Sequence, residues 1–168
     1  DAFELGVNLA TTPGKVVFQN ELIQLIQFEP VTEQVHRTPI VMIPAWINKY
    51  YILDLNQKKS FIRWALNQGY TVFAVSWVNP DETLAQKTFD DYLVEGVIAA
   101  LDAIEAATGE HEVSAVGYCI GGTILAVALG YLAGIGDQRI KAATMLTAQV
   151  DFSEPGDLSV FIDEKQLD

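Results

Sequence analysis

The apolar positions along the chain alternate between short runs and helical stripes. Within residues 15–28, Val16-Val17-Phe18 and Leu22-Ile23-Gln24-Leu25-Ile26-Gln27-Phe28 flank the polar Gln19-Asn20-Glu21, which predicts an antiparallel hairpin at a sheet edge. A polar stretch from Pro30 to Thr38 follows, and then Pro39-Ile40-Val41-Met42-Ile43-Pro44 reads as a strand buried on both faces. Residues 56–68 carry Phe61, Trp64 and Ala65 at helical spacing, with Gly69 placed to end the helix. Residues 70–77 are rich in β-branched and aromatic side chains and are broken by Asn79-Pro80-Asp81, as a second buried strand would be. Residues 90–108 set Leu93, Val97, Leu101 and Ile104 on one face with Gly109 at the exit, so they form the second crossover element, a long helix. A short strand over 112–116, an Ala- and Leu-rich helix over 123–133 and a strand-like run over 140–150 complete a βαβαβαβ order.

Strands joined by helical crossovers give an α/β fold with a mostly parallel sheet and helices on both faces. The expected division is an N-terminal segment, 1–38, carrying the edge hairpin, and a core, 39–168, that is incomplete at its C-terminal side. In such sheets ligands bind at the carboxyl ends of the strands, which directs attention to the residues after Ile43, Trp77, Val116 and Thr147.

One of those positions carries a chemical motif. The strand over 112–116 runs into Gly117-Tyr118-Cys119-Ile120-Gly121-Gly122-Thr123 and then a helix, the strand–turn–helix context of a nucleophile elbow with Cys in the nucleophile position. Gly117 and Gly121, two residues before and two after Cys119, leave room for a sharp turn, and Gly122 lets the helix begin close to the strand. Unpaired amides at the helix start favour negative charge on the sulfur and on an attacked carbonyl oxygen, with the Ile120 N–H as first donor. A second donor is expected from the loop Pro44-Ala45-Trp46-Ile47-Asn48. A lone buried Cys is more often a small core residue than a nucleophile; here the glycines and the flanking elements shift the reading toward chemistry.

A histidine base would have to lie at the same end of the sheet, yet His36 and His111, the two histidines present, both precede strands and belong at the opposite end. Asp151 follows the last strand, and beside Ser153 and Pro155 it reads equally well as a turn residue.

Composition narrows the partners. The 168 residues hold 22 acidic and 10 basic side chains, a net charge of −12 without a Lys/Arg cluster longer than Lys58-Lys59, which disfavours a nucleic-acid partner. The same charge gives an anionic ligand no long-range steering, so any phosphate must be captured locally. A single Cys and no leader-like start suggest the reducing cytoplasm, and no apolar run is long enough for a membrane span. The chain begins at Asp1 without Met and stops at Asp168, and is expected to be part of a longer protein.

Three segments together resemble poly(3-hydroxyalkanoate) synthases, with a tone closest to the short-chain, single-subunit type: Pro44-Ala45-Trp46-Ile47-Asn48-Lys49-Tyr50-Tyr51-Ile52-Leu53-Asp54-Leu55, Ser76-Trp77-Val78-Asn79-Pro80, and the elbow. The resemblance covers nearly the whole chain and implies an α/β-hydrolase fold. It implies that Cys119 is the nucleophile of an acyltransferase that polymerises 3-hydroxyacyl-CoA, releasing CoA from a Cys-bound thioester. It also implies no cofactor, since the CoA thioester is substrate, a homodimer when full length, and a place at the surface of cytoplasmic polyester granules. Ala45 stands where the family has a second proline, and the family's catalytic Asp and His match nothing between Ile120 and Asp168, so the fragment alone is expected to be inactive. Other readings of the elbow are a cysteine hydrolase or thioesterase of the same superfamily, or an inert folding or association module.

Overall fold

A computed structural model describes residues 2–161; residues 162–168, the tail of the expected core, lie outside the described set. Strands β1 (Gly14–Gln19) and β2 (Ile23–Phe28) form the antiparallel hairpin at one edge of the sheet. β3 (Ile40–Ile43) is central, and a small ribbon of β4 (Asp54–Asn56) and β5 (Lys59–Ser60) leads into α1 (Phe61–Asn67). Then come β6 (Val72–Trp77), α2 (Phe89–Asp91), a π-helical stretch (Tyr92–Ile98), α3 (Ala99–Thr108), β7 (Val113–Tyr118), α4 (Ile120–Ile135) and β8 (Ile140–Leu146). The order across the six-stranded sheet is β1-β2-β6-β3-β7-β8, with β6, β3, β7 and β8 parallel and β2 antiparallel to β6.

Each parallel strand sends alternate residues into two cores, one per face. Val41, Ile43, Phe73, Val75, Val113 and Ala115 meet the π-helical stretch, α3 and α4 through Leu93, Val97, Leu101, Ile104, Ile124 and Leu125. Met42, Val72, Ala74 and Val116 meet Ile62, Ala65 and Leu66 of α1 on the other face. Helices thus cover both faces, and the β–α alternation follows the hydrophobic pattern.

Four boundaries differ from the sequence pattern, each for a local reason. The first helix starts at Phe61 because the Asn56 side chain accepts the amides of Lys58 and Lys59 and closes a turn, after which Ser60 caps the helix by accepting the Arg63 amide at 2.8 Å. The long helix opens with a Thr88–Asp91 capping box and runs seven residues in π geometry before α3. β7 continues through Gly117 and Tyr118, and because Cys119 alone makes the turn and its carbonyl accepts the Gly122 and Thr123 amides, α4 begins three residues earlier than its hydrophobic stripe suggests. β8 stops at Leu146 because Thr147 adopts φ 48°.

The residues before β1 are tied to β4 by a buried carboxylate: Asp54 accepts the Thr12 hydroxyl at 2.6 Å and the Thr12 amide at 3.3 Å. At the far edge, β8 leaves Ala142, Ala143, Thr144 and Met145 exposed, beside backbone groups with no strand partner among the described residues. An uncovered edge of this kind pairs readily with another chain. The isolated chain is therefore expected to self-associate in size-exclusion chromatography, and a monomer at every concentration would contradict it.

Candidate functional site

Cys119 occupies the single residue between the end of β7 and the start of α4. Its backbone is at φ 55°, ψ −126°, a conformation that costs an L-residue about 1–3 kcal/mol and persists only where its surroundings dictate it. They do so here from three sides. The Cys119 N–H donates to the Leu146 carbonyl at 2.9 Å, its carbonyl accepts the Gly122 amide at 2.8 Å, and three glycines permit contacts that no side chain would. A Cβ on Gly117 would lie 2.5 Å from the Gly122 Cα; one on Gly121 would lie 2.0 Å from the Ile43 carbonyl oxygen; one on Gly122 would lie 2.4 Å from the Ala148 Cβ. β7, β3 and the segment after β8 therefore all close on the first turn of α4. The structure brings Cys119, Ile120, Gly117, Gly121 and Gly122 together in one bend at the carboxyl end of the sheet.

The half-buried thiol has no hydrogen-bond partner among the described residues. The Ile120 amide, first in α4, likewise donates to no carbonyl among them. A free N–H at a helix start is a ready donor to an oxygen that gains charge during attack by the neighbouring sulfur. The loop expected to supply a second donor lies against this turn, because Ile43 and Pro44 are the atoms that fill the space beside Gly121. In that loop the Ala45 and Trp46 amides have no carbonyl acceptor among the described residues, while the Ala45 carbonyl accepts from Asn48. Lys49 Nζ donates to Asn79 Oδ1 at 2.7 Å, linking the loops after β3 and β6.

The structure also gives roles to two residues to which the sequence assigned none, Trp77 and Thr147. Trp77 Nε1–H donates to the Pro44 carbonyl at 2.8 Å, and its ring packs with Trp46 and Tyr92. Thr147, at φ 48°, turns the chain so that Thr123 Oγ1 can donate to the Gln149 carbonyl at 2.7 Å. A Trp closing an apolar strand signals only core packing, although a buried indole N–H usually finds an acceptor. For Thr147 there was no signal, since a β-branched residue is a poor choice for a left-handed turn.

His36 and His111 lie where the strand order placed them. His36 packs against the Tyr70 ring in a tilted arrangement and bonds the Gln68 carbonyl at 3.1 Å, and His111 pairs with Glu105 at 3.0 Å. β7 separates His111 from Cys119 by the length of a six-residue strand, roughly 20 Å. Asp151 accepts the Ser153 amide at 2.9 Å, and that bond holds its carboxyl below the usual range; it is a turn residue. No group of three metal-ligating side chains occurs among the described residues, and no helix among them is long and apolar enough to cross a membrane.

Known proteins share both the sequence and the fold. Residues 1–65 match the family described as poly-beta-hydroxybutyrate polymerase (PhaC) N-terminus, and residues 38–168 match the alpha/beta hydrolase fold family. The chain is 55% identical over 166 residues to the poly(3-hydroxyalkanoate) polymerase of Methylorubrum extorquens, covering 99% of this chain and 27% of that protein. It is 46% identical over 163 residues to a poly(3-hydroxyalkanoate) polymerase subunit of Cupriavidus necator, covering 97% and 28%. The chain thus spans about a quarter of the length of these relatives. Among solved structures, a fungal esterase from Rhizomucor miehei superposes with a TM-score of 0.61 at 17% identity, over 91% of this chain and 49% of the esterase, a likeness of fold.

Proposed function

We propose that this chain, which belongs to the α/β-hydrolase fold family and is similar over nearly its whole length to poly(3-hydroxyalkanoate) polymerases, carries the nucleophile of a polyester-forming acyltransferase. The observation that carries the reading is the Cys119 backbone at φ 55° between a parallel strand and a helix start, with the sulfur beside a free amide.

In this reading the Cys119 sulfur attacks the thioester carbonyl of a 3-hydroxyacyl-CoA. A new carbon–sulfur bond forms, the carbonyl electrons move onto oxygen under the Ile120 N–H, and collapse expels CoA, which leaves as a thiol once protonated. The hydroxyl end of a growing polyester then attacks the enzyme thioester, the ester bond forms, and the Cys119 thiol is restored. Exchange of one thioester for another is nearly neutral, so the acyl group stays activated for a weak alcohol nucleophile. Water has to be excluded for the same reason.

The attack needs a base and a proton carrier. The two histidines do not serve, so both groups are assigned to parts of the longer protein beyond this chain, as is the homodimer contact. No cofactor enters the scheme, because the CoA thioester is itself substrate. A net charge of −12 fits no nucleic-acid role, and a lone thiol fits the cytoplasm at the surface of a polyester granule. The division into an N-terminal segment, 1–38, and a catalytic core, 39–168, belongs to the same proposal.

The test is incubation of the full-length protein with 3-hydroxybutyryl-CoA. Polymer, CoA release and an acyl adduct on Cys119 by peptide mass spectrometry are expected, whereas the isolated 168-residue chain is expected to release CoA far more slowly. Free 3-hydroxy acid in place of polymer would make the protein a thioesterase. A full-length protein with no adduct on Cys119 would overturn the nucleophile assignment.

A further inference from the structure

Trp77 lies at the carboxyl end of β6, two strands from the elbow, yet it is bonded to the loop that faces the elbow. The residue is 8% exposed, and its one polar side-chain atom donates to the Pro44 carbonyl at 2.8 Å. The ring cannot easily shift to another acceptor. Trp46 meets it edge-on at 5.8 Å, Tyr92 lies 5.4 Å away, and Gly96 supports it from behind, where a Cβ would come within 2.5 Å of the ring. Gly96 lies within the π-helical stretch, a geometry found disproportionately beside functional sites, and here the stretch carries the glycine that lets the helix approach the indole.

On its other side the loop meets the elbow itself. A Cβ on Gly121 would be 2.0 Å from the Ile43 oxygen and 2.8 Å from the Pro44 carbonyl carbon, so the end of β3 is wedged between Trp77 and the first turn of α4. A trans peptide is planar, with its carbonyl and its N–H pointing in opposite directions. Fastening the Pro44 oxygen to the indole therefore fixes the plane of the Pro44–Ala45 peptide and the direction of the Ala45 N–H, and it anchors the start of the loop that carries the Trp46 amide; neither amide has a carbonyl acceptor among the described residues.

Resting on the acyltransferase reading of Cys119, we infer that Trp77, seated on Gly96, is a positioning residue that holds the loop after β3 so that its free amides complete the oxyanion site begun by Ile120. The role is indirect: the indole acts through the Pro44 carbonyl that it holds.

The experiment compares two reactions of the same sulfur in the full-length protein. Acylation by 3-hydroxybutyryl-CoA builds charge on a carbonyl oxygen, whereas alkylation by iodoacetamide displaces iodide and builds none. Trp77→Phe, and replacement of Trp77 by 3-benzothienylalanine, which keeps the bicyclic shape without the N–H, are expected to slow acylation by about 10- to 100-fold, the scale of a misplaced reacting group. KM should move little and alkylation should be unchanged. Gly96→Ala, which displaces the ring but keeps the N–H, should give the same selective loss. Amide hydrogen exchange is the second readout: the peptide spanning 44–48 should exchange faster in the benzothienyl variant, with the peptide spanning 117–123 unaltered.

Equal slowing of acylation and alkylation would overturn the inference, leaving Trp77 a packing residue, and so would unchanged acylation in both Trp77 variants. If the wild-type protein forms no adduct, the acyltransferase reading fails by itself. Exchange at 44–48 then decides the positioning, and identical exchange with and without the indole N–H overturns it.

Discussion

Gly121→Ala is expected to destabilise the fold by about 3 kcal/mol or more, the upper end of overpacking costs. The added methyl would sit 2.0 Å from the Ile43 carbonyl oxygen and 2.8 Å from the Pro44 carbonyl carbon, and both obstacles are backbone. A side chain could rotate away; a central strand cannot. β3 is held by β6 on one side and β7 on the other, so relief would require breaking a parallel ladder or lifting α4 from the sheet. Thermal denaturation should show a fall in Tm of roughly 6–12 °C for a domain of this size, if the variant folds at all. Gly130→Ala in the same helix is the control: nothing lies within 4 Å of its Cβ position, and alanine there should stabilise by about 0.5–1 kcal/mol through helix propensity. Opposite signs at two glycines nine residues apart would tie the cost to the close approach. A neutral Gly121→Ala would mean that the elbow is not packed as described.

In the full-length protein, and resting on the acyltransferase proposal, Cys119→Ala and Cys119→Gly are expected to abolish acyl transfer alike, by on the order of 10⁶-fold as for removal of other covalent nucleophiles, and to differ in stability. Alanine keeps the Cβ and so keeps the strain of φ 55°, leaving stability near that of the wild type. Glycine removes it. Relief of the strained conformation outweighs the extra freedom glycine brings to the unfolded chain, giving a net gain of about 1 kcal/mol. Urea denaturation of the two variants measures the difference, and glycine proving less stable than alanine would contradict the strain. A strained reactive residue is a common cost of function, since the bend that raises the sulfur above the sheet also forces its backbone out of the ordinary regions.

Much of this was readable from residue order because the signals are local or periodic. The runs at Ile40–Ile43 and Val72–Trp77 are short, apolar and bounded by breakers, which suits strands covered on both faces, as β3 and β6 are. The spacing of Gly117, Cys119 and Gly121 is meaningful within seven residues, since strand, sharp bend and helix follow one another without help from distant chain. The opposite placement of His36 and His111 also followed from order alone, given that parallel strands all point one way. Helix starts were less legible. Asn56 and Ser60 diverted 56–60 into a turn and a ribbon through side-chain bonds to the backbone, a competition that apolar periodicity does not register.

What the order of residues determined by itself is the alternation of strand and helix, the end of the sheet on which chemistry can occur, and the sulfur at its bend, because each depends on hydrophobic period and glycine spacing within one segment. What only the tertiary structure decided is how that bend is held. Ile43 fills the space beside Gly121, Ala148 faces Gly122, Leu146 receives the Cys119 amide, and Trp77 reaches across from β6 to the Pro44 carbonyl. These partners lie between 26 and 78 residues away in the chain from what they hold, and they meet it only because parallel strands set their carboxyl ends side by side.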